Sequence, residues 1–89
     1  MRTAQIRYRG ANLQGVGLRK KISILANDYE INGFVANTQY NGIEIIAQGE
    51  SQNVMKFWHG VNQTLETYPN NISVIELYDV PKFKDFEIR

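Results

Sequence analysis

An Asn-Gly pair flanked by alternating apolar runs is the strongest short-range signal for strand pairing that a sequence carries. Here Asn41-Gly42 closes the turn Gln39-Tyr40-Asn41-Gly42, between residues 31–38 and residues 43–48. The spacing predicts two adjacent antiparallel strands, with Ile43, Ile45 and Ala47 on one face of the second and Gly49 closing it. Whatever precedes and follows this hairpin must be arranged around it.

What surrounds it is nearly symmetrical. Residues 4–9 alternate in the strand manner, with Ala4, Ile6 and Tyr8 inward and Arg7 and Arg9 toward solvent, and Gly10 ends the run. Leu18, Ile22, Leu25, Ala26 and Tyr29 then recur at helical steps, and the helix stops near Asn27-Asp28, whose short polar side chains compete for backbone bonds. After the hairpin, Ser51 is the expected N-cap of a second helix. Its stripe is Val54, Phe57, Trp58, Val61 and Leu65. The Phe57-Trp58 pair falls on that stripe and reads as core, whereas His59 falls off it and reads as solvated. Gly60 inside the helix costs about 1 kcal/mol relative to alanine, and the sequence offers no reason for it. Pro69-Asn70-Asn71 breaks the chain, residues 72–77 form a fourth strand, Pro81 stops it, and residues 85–88 form a short edge strand. The order is βαββαβ. It predicts an α+β, ferredoxin-like split βαβ sandwich: an antiparallel sheet, two helices on one face, and a short C-terminal edge strand.

Composition narrows the function classes. A chain of 89 residues is expected to form a single domain, 1–89, with one modest core. A formal net charge of +1 gives no general attraction to nucleic acid or membrane, so any anion site must be local. No cysteine is present, which removes disulfides, thiol nucleophiles and thiolate metal sites. A single histidine has no second imidazole with which to share a metal, and neither metal nor cofactor is expected. With no long apolar run, either internal or at Met1-Arg2-Thr3-Ala4-Gln5, the expected location is the cytoplasm.

One stretch stands apart from the core pattern: Leu13-Gln14-Gly15-Val16-Gly17-Leu18-Arg19-Lys20-Lys21. Two glycines one residue apart, just before the helical stripe begins, place a permissive loop at a helix N-terminus. Free N–H groups and the positive end of the helix dipole make such a place an anion site. Arg19, Lys20 and Lys21 in the first turn oppose the dipole by about 0.3–1 kcal/mol each, and a bound anion turns that penalty into attraction. Read alone, the same stretch is more simply a glycine turn followed by solvated cations.

Four segments in order decide the matter. Leu13 to Arg19, Gly33-Phe34-Val35-Ala36-Asn37, the run from Ile43 to Gly49, and Asp85-Phe86-Glu87-Ile88 fall in register with one pattern. That pattern runs Gly-x-Val-Gln-Gly-Val-x-Phe-Arg, Gly-Trp-Val-x-Asn, Val-Glu-Val-x-Ala-x-Gly and Asp-Phe-x-Ile. The chain resembles the acylphosphatase family over nearly its whole length. The resemblance implies the same α+β architecture and the metal-free hydrolysis of a small acyl phosphate to a carboxylate and inorganic phosphate, the latter both product and inhibitor. It assigns phosphate binding to Gln14, Gly15, Val16, Gly17, Leu18 and Arg19, and the orientation of the attacking water to Asn37. Arg19 and Asn37 are the implied catalytic pair, in a monomer that binds neither nucleic acid nor membrane.

The residues suit that chemistry. The leaving group is a carboxylate whose acid has a pKa of about 4, so it departs without a protonated side chain. What remains is an amide cradle, a planar guanidinium that can grip two oxygens, and a carboxamide able to accept from and donate to one water. The chain departs from the pattern at five places. Three residues separate Gly10 from Gln14 where two are usual, and the turn after Asn37 is one residue longer. Leu18 and Phe34 are apolar replacements, and Ala36 stands where a basic residue is common. Because a displacement of about 1 Å can cost roughly 100-fold in rate, the longer loop keeps a second reading open: a catalytically silent module of the same fold that binds an anion or a protein. A base-stacking RNA surface is a third reading, opposed by the absence of paired aromatic and basic residues on the strands.

Overall fold

The computed structural model describes residues 1–10, 13–14, 17–39, 41–66 and 71–89. Seven elements follow in the order β1 (Arg2–Arg9), α1 (Leu18–Asp28), β2 (Asn32–Asn37), β3 (Ile43–Gly49), α2 (Ser51–Leu65), β4 (Asn71–Leu77) and β5 (Phe86–Ile88). The five strands form one sheet in the order β4-β1-β3-β2-β5. Four of them pair antiparallel, and β5 runs parallel to β2 (Gly33 opposite Phe86, Val35 opposite Ile88). The sheet is therefore mixed, a detail that a three-residue strand carries nowhere in its periodicity.

Register explains which side of the sheet is buried. Ala4, Ile6 and Tyr8 lie opposite Ala47, Ile45 and Ile43, which in turn lie opposite Gly33, Val35 and Asn37. This set faces the helices, and its apolar members are at most 7% exposed. Leu18, Ile22 and Ala26 of α1 and Val54, Phe57, Val61 and Leu65 of α2 cover it from above, with Leu25, Tyr29, Trp58 and Phe86 packed around them. A fully buried Phe, Leu or Ile stabilises by about 1.5–3 kcal/mol, so these two stripes supply most of what holds the helices down. Coverage fades toward the β4 edge, where Ile72 and Val74 remain 43% and 45% exposed.

The helix boundaries follow from backbone geometry. The residue capping α2 is Glu50 (φ −60°, ψ 143°), not Ser51, and no side chain bonds the helix end. Val54 N–H reaches Glu50 C=O at 2.9 Å, which puts Ser51 one place inside the first turn. In the hairpin, Asn41 takes the left-handed conformation (φ 61°) while Gly42 keeps a negative-φ backbone. Gly42 is needed for space: an added Cβ would lie 2.6 Å from both Tyr8 O and Thr38 Oγ1. Tyr40 of that turn and the Pro69-Asn70 break fall outside the described residues.

Between β4 and β5 the chain crosses from one sheet edge to the other, held by the buried carboxamide of Gln48. Its Nε2 donates to Thr3 Oγ1 (3.0 Å) and Pro81 O (3.2 Å), and its Oε1 accepts from Phe83 N–H (2.8 Å). Asn32 Nδ2 donates to Phe83 O at 3.1 Å, and the Phe83 ring meets Phe34 edge-on at 6.1 Å. This staple delivers β5 and Arg89 alongside β2 and the start of α1.

Candidate active site

The cradle begins where α1 begins. Gly17 is its N-cap, in the left-handed region (φ 74°, ψ 14°) that glycine adopts without a Cβ penalty. No side chain caps this end and no acidic residue lies in the first turn. The first intrahelical bond runs from Lys21 N–H to Gly17 C=O at 3.2 Å. The N–H groups of Leu18, Arg19 and Lys20 therefore have no intrahelical acceptor and project from the positive end of the dipole. Leu18 is 1% exposed and pins this end to the core, leaving Arg19 half-buried at its rim. Gly15 and Val16 lie outside the described residues.

Asn37 comes from the far end of β2, and its register with Ile43 puts it on the helix-facing side. Being the last residue of its strand, it is not covered by the next one and stays exposed. A cavity of about 180 Å³ opens between these elements, lined by Leu13, Gly17, Leu18, Arg19, Lys20, Asn37 and Ile88. About 10–15 Å³ suffices for one water, so a small oxyanion and a water fit together. Arg19, Gly17 and Asn37, drawn from two motifs 18 residues apart in sequence, thus border one space with two cations and no carboxylate among its walls.

Two contacts went unnoticed in the sequence. Arg19 Nη1 donates to the main-chain oxygen of Arg89 at 2.8 Å, leaving four of its five N–H donors for a ligand. Arg89 is itself fixed: its N–H donates to Val35 O at 2.8 Å, its guanidinium lies 4.2 Å above the Phe34 ring, and its Nε pairs with Glu87 Oε2 at 2.9 Å. Nothing in the spacing could relate Arg89 to a residue 70 positions earlier. The Gln14 side chain turns to the hairpin, where Nε2 donates to Thr38 O (2.6 Å) and Gly42 O (2.9 Å). Its Nε2 donors are thus occupied, and its backbone N–H is the donor left to the loop.

The titratable surroundings are simple. Tyr8, under the sheet end nearest the hairpin, donates its hydroxyl to Asn62 Oδ1 at 2.8 Å. Burial pushes its phenol well above the ordinary value, with the Trp58 indole partly offsetting the rise, so it stays protonated through neutrality. Among the described residues, no three His, Cys, Asp or Glu side chains converge as a metal site would require. His59 is exposed on the outer face of α2.

Fold and site together define a small α+β scaffold with a cavity at a helix N-terminus, bordered by Arg19, Lys20 and Asn37. The family model for acylphosphatase matches residues 4–88, and the chain belongs to that family. It is 36% identical over 87 residues to an acylphosphatase of Lacticaseibacillus paracasei, covering 94% of this chain and 91% of that one. An acylphosphatase of Caldanaerobacter subterraneus subsp. tengcongensis is 27% identical over 88 residues, covering 98% and 97%. The crystal structure of an acylphosphatase from Bacillus subtilis superposes with a TM-score of 0.89 at 27% identity, covering 100% of this chain and 99% of that one.

Proposed function

We propose that the chain hydrolyses small acyl phosphates at the cavity between α1 and β2, releasing a carboxylate and inorganic phosphate. One observation carries this reading: the α1 N-terminus, Arg19 and Asn37 border the same small space. In it, the free backbone N–H groups at the α1 N-terminus and the Arg19 guanidinium take the phosphoryl oxygens, and the family pattern assigns the same role to the loop from Gln14 to Leu18. Their positive ends are aimed where charge is carried in a loose, metaphosphate-like transition state. Asn37 holds a water on the open side of the phosphorus, its carboxamide able to accept from and donate to that water. The carboxylate leaves as a weak base, so the step needs no general acid, and Arg19 supplies the charge that a metal would bring. The family membership and the 36% identical relative support the same reaction class. The proposal extends to a single catalytic domain, 1–89, working as a cytoplasmic monomer that binds neither nucleic acid nor membrane.

Turnover of benzoyl phosphate in excess EDTA, followed by loss of ultraviolet absorbance, tests the proposal. Arg19→Gln is expected to weaken inhibition by inorganic phosphate about 10- to 150-fold, the worth of one or two charge-assisted hydrogen bonds (about 1.5–3 kcal/mol). Asn37→Ala is expected to abolish turnover while phosphate inhibition stays within about threefold, because the water lies outside the phosphate cradle. Equal loss of phosphate binding in both variants refutes the division of roles. No turnover above background by the unaltered protein leaves the silent anion-binding module.

A further inference from the structure

Gln14 sits between the loop that enters α1 and the turn that leaves β2, and its carboxamide is placed like a clamp between them. Nε2 lies 2.6 Å from Thr38 O and 2.9 Å from Gly42 O, so both its protons go to main-chain carbonyls. Those neighbours are acceptors only, which fixes the orientation of the amide: Oε1 turned toward them would meet two like dipoles. The turn is itself rigidly seated. Thr38 N–H closes it on Gly42 O at 3.0 Å, and Gly42 lies so close to Tyr8 O that no Cβ fits. Thr38 follows Asn37 directly, and Leu13, beside Gln14, is 1% exposed in the core.

We infer that Gln14 is a positioning residue: through its two hydrogen bonds to Thr38 and Gly42 it sets the distance between the phosphate-holding loop and the water-holding Asn37. The inference rests on the proposed reaction and deepens it. It assigns the Gln14 side chain to the alignment of the two halves of the site and leaves anion binding to the main chain. The geometry also joins the two places where this chain is one residue longer than the family pattern. The lengthened loop ends at Gln14 and the lengthened turn spans Thr38 to Gly42, so the Gln14 hydrogen bonds link the ends of these two segments.

Two kinds of measurement test it. In nitrogen-edited NMR spectra of the unaltered protein, both Nε2 protons of Gln14 are expected to lie downfield of free-carboxamide values and to exchange slowly with water, as protons held on Thr38 O and Gly42 O must. Free-carboxamide shifts with fast solvent exchange overturn the inference whether or not the protein is an enzyme. The second measurement is kinetic. Gln14→Leu is expected to lower kcat on benzoyl phosphate by about 10- to 100-fold, the scale of an ångström-level misplacement, with the inhibition constant of phosphate changed less than threefold. A matching loss of phosphate affinity with kcat preserved means that Gln14 holds the anion directly and overturns the positioning role.

Gln14→Glu supplies a readout that scaffolding alone does not move. A carboxylate facing two carbonyl oxygens is disfavoured, so its pKa rises above about 4.3 and only the protonated form can donate to the turn. Activity relative to the unaltered protein is expected to recover at least fivefold between pH 7.5 and pH 5. A ratio independent of pH refutes the clamp. If the unaltered protein fails to turn over benzoyl phosphate, the proposed reaction falls while the NMR result still decides the geometry.

Discussion

Gly33→Ala is expected to destabilise this fold strongly. Gly33 has φ of 136°, a region L side chains rarely enter, and a Cβ built on it would lie 1.9 Å from Ile46 O of the neighbouring strand. Strain at such a backbone position costs about 1–3 kcal/mol. The contact must also open by about 1.5 Å to reach ordinary carbon–oxygen spacing of roughly 3.4 Å. Paired strands are only about 4.8 Å apart, so that opening disrupts the β2–β3 ladder on one side. On the other, it disturbs the 2.8 Å bond from Gly33 N–H to Asp85 O, which begins the β5 pairing. Two weakened hydrogen bonds at about 0.5–1.5 kcal/mol each bring the total to about 2–6 kcal/mol. A chain of 89 residues has about 4–13 kcal/mol of stability to lose. The midpoint of thermal unfolding is expected to fall by about 10 °C or more, at 4–8 °C per kcal/mol. Urea unfolding followed by fluorescence of the sole tryptophan, Trp58, measures it directly. A loss below about 1 kcal/mol, with the β2–β3 register intact, refutes the argument from steric exclusion.

Four further outcomes follow from other positions. Gly60→Ala is expected to stabilise the protein by about 0.5–1 kcal/mol, because an added Cβ meets Leu25 Cδ2 at an ordinary 3.4 Å while the helix gains propensity; urea denaturation checks the sign. Gly17→Asn is expected to retain more benzoyl phosphate turnover than Gly17→Val, since the φ of 74° is open to asparagine and closed to a β-branched residue. Tyr8 has a folded-state pKa above its unfolded value of about 10, so its contribution to stability is complete below pH 10 and is lost as pH rises beyond it, by at most about 1.4 kcal/mol per pH unit. Tyr8→Phe is expected to flatten the alkaline limb of a stability–pH curve relative to the unaltered protein. Since the proposed reaction uses no general acid or base, kcat is expected to vary less than about twofold from pH 5 to 8, and a steep bell in that range refutes it.

Much of the architecture was legible because burial imposes a period. The stripes Leu18-Ile22-Ala26 and Val54-Phe57-Val61-Leu65 are buried as their spacing predicts, and Ala4, Ile6 and Tyr8 share a face with Ile43, Ile45 and Ala47. Each pattern is a local record of which side meets the core. Where no period operates, the sequence said less. A three-residue strand such as β5 has no pattern that distinguishes parallel from antiparallel pairing. Ser51 was expected to cap α2 from its residue type, yet the carbonyl that starts the helix belongs to Glu50. Asn-Gly announces a turn, but Asn41 supplies its left-handed residue, while Gly42 is required by the nearness of Tyr8 O, which β1 brings there by pairing with β3.

The candidate site divides along the same line. Arg19 and Asn37 could be singled out because each lies at the end of an element, in a motif, with chemistry its neighbours lack. The groups that hold them could not. Arg89 reaches Arg19 only because the crossover pinned by Gln48 carries β5 to the edge of β2, and Gln14 reaches Thr38 and Gly42 only because β1 and the hairpin share a sheet. Both contacts end on main-chain oxygens, which every residue possesses, so no choice of side chain at the receiving position records them. Alignment of the site therefore depends on sheet order and backbone placement more than on the residue types at its rim. A change that moves β5 or the hairpin by an ångström is consequently as damaging as one that removes a contacting side chain.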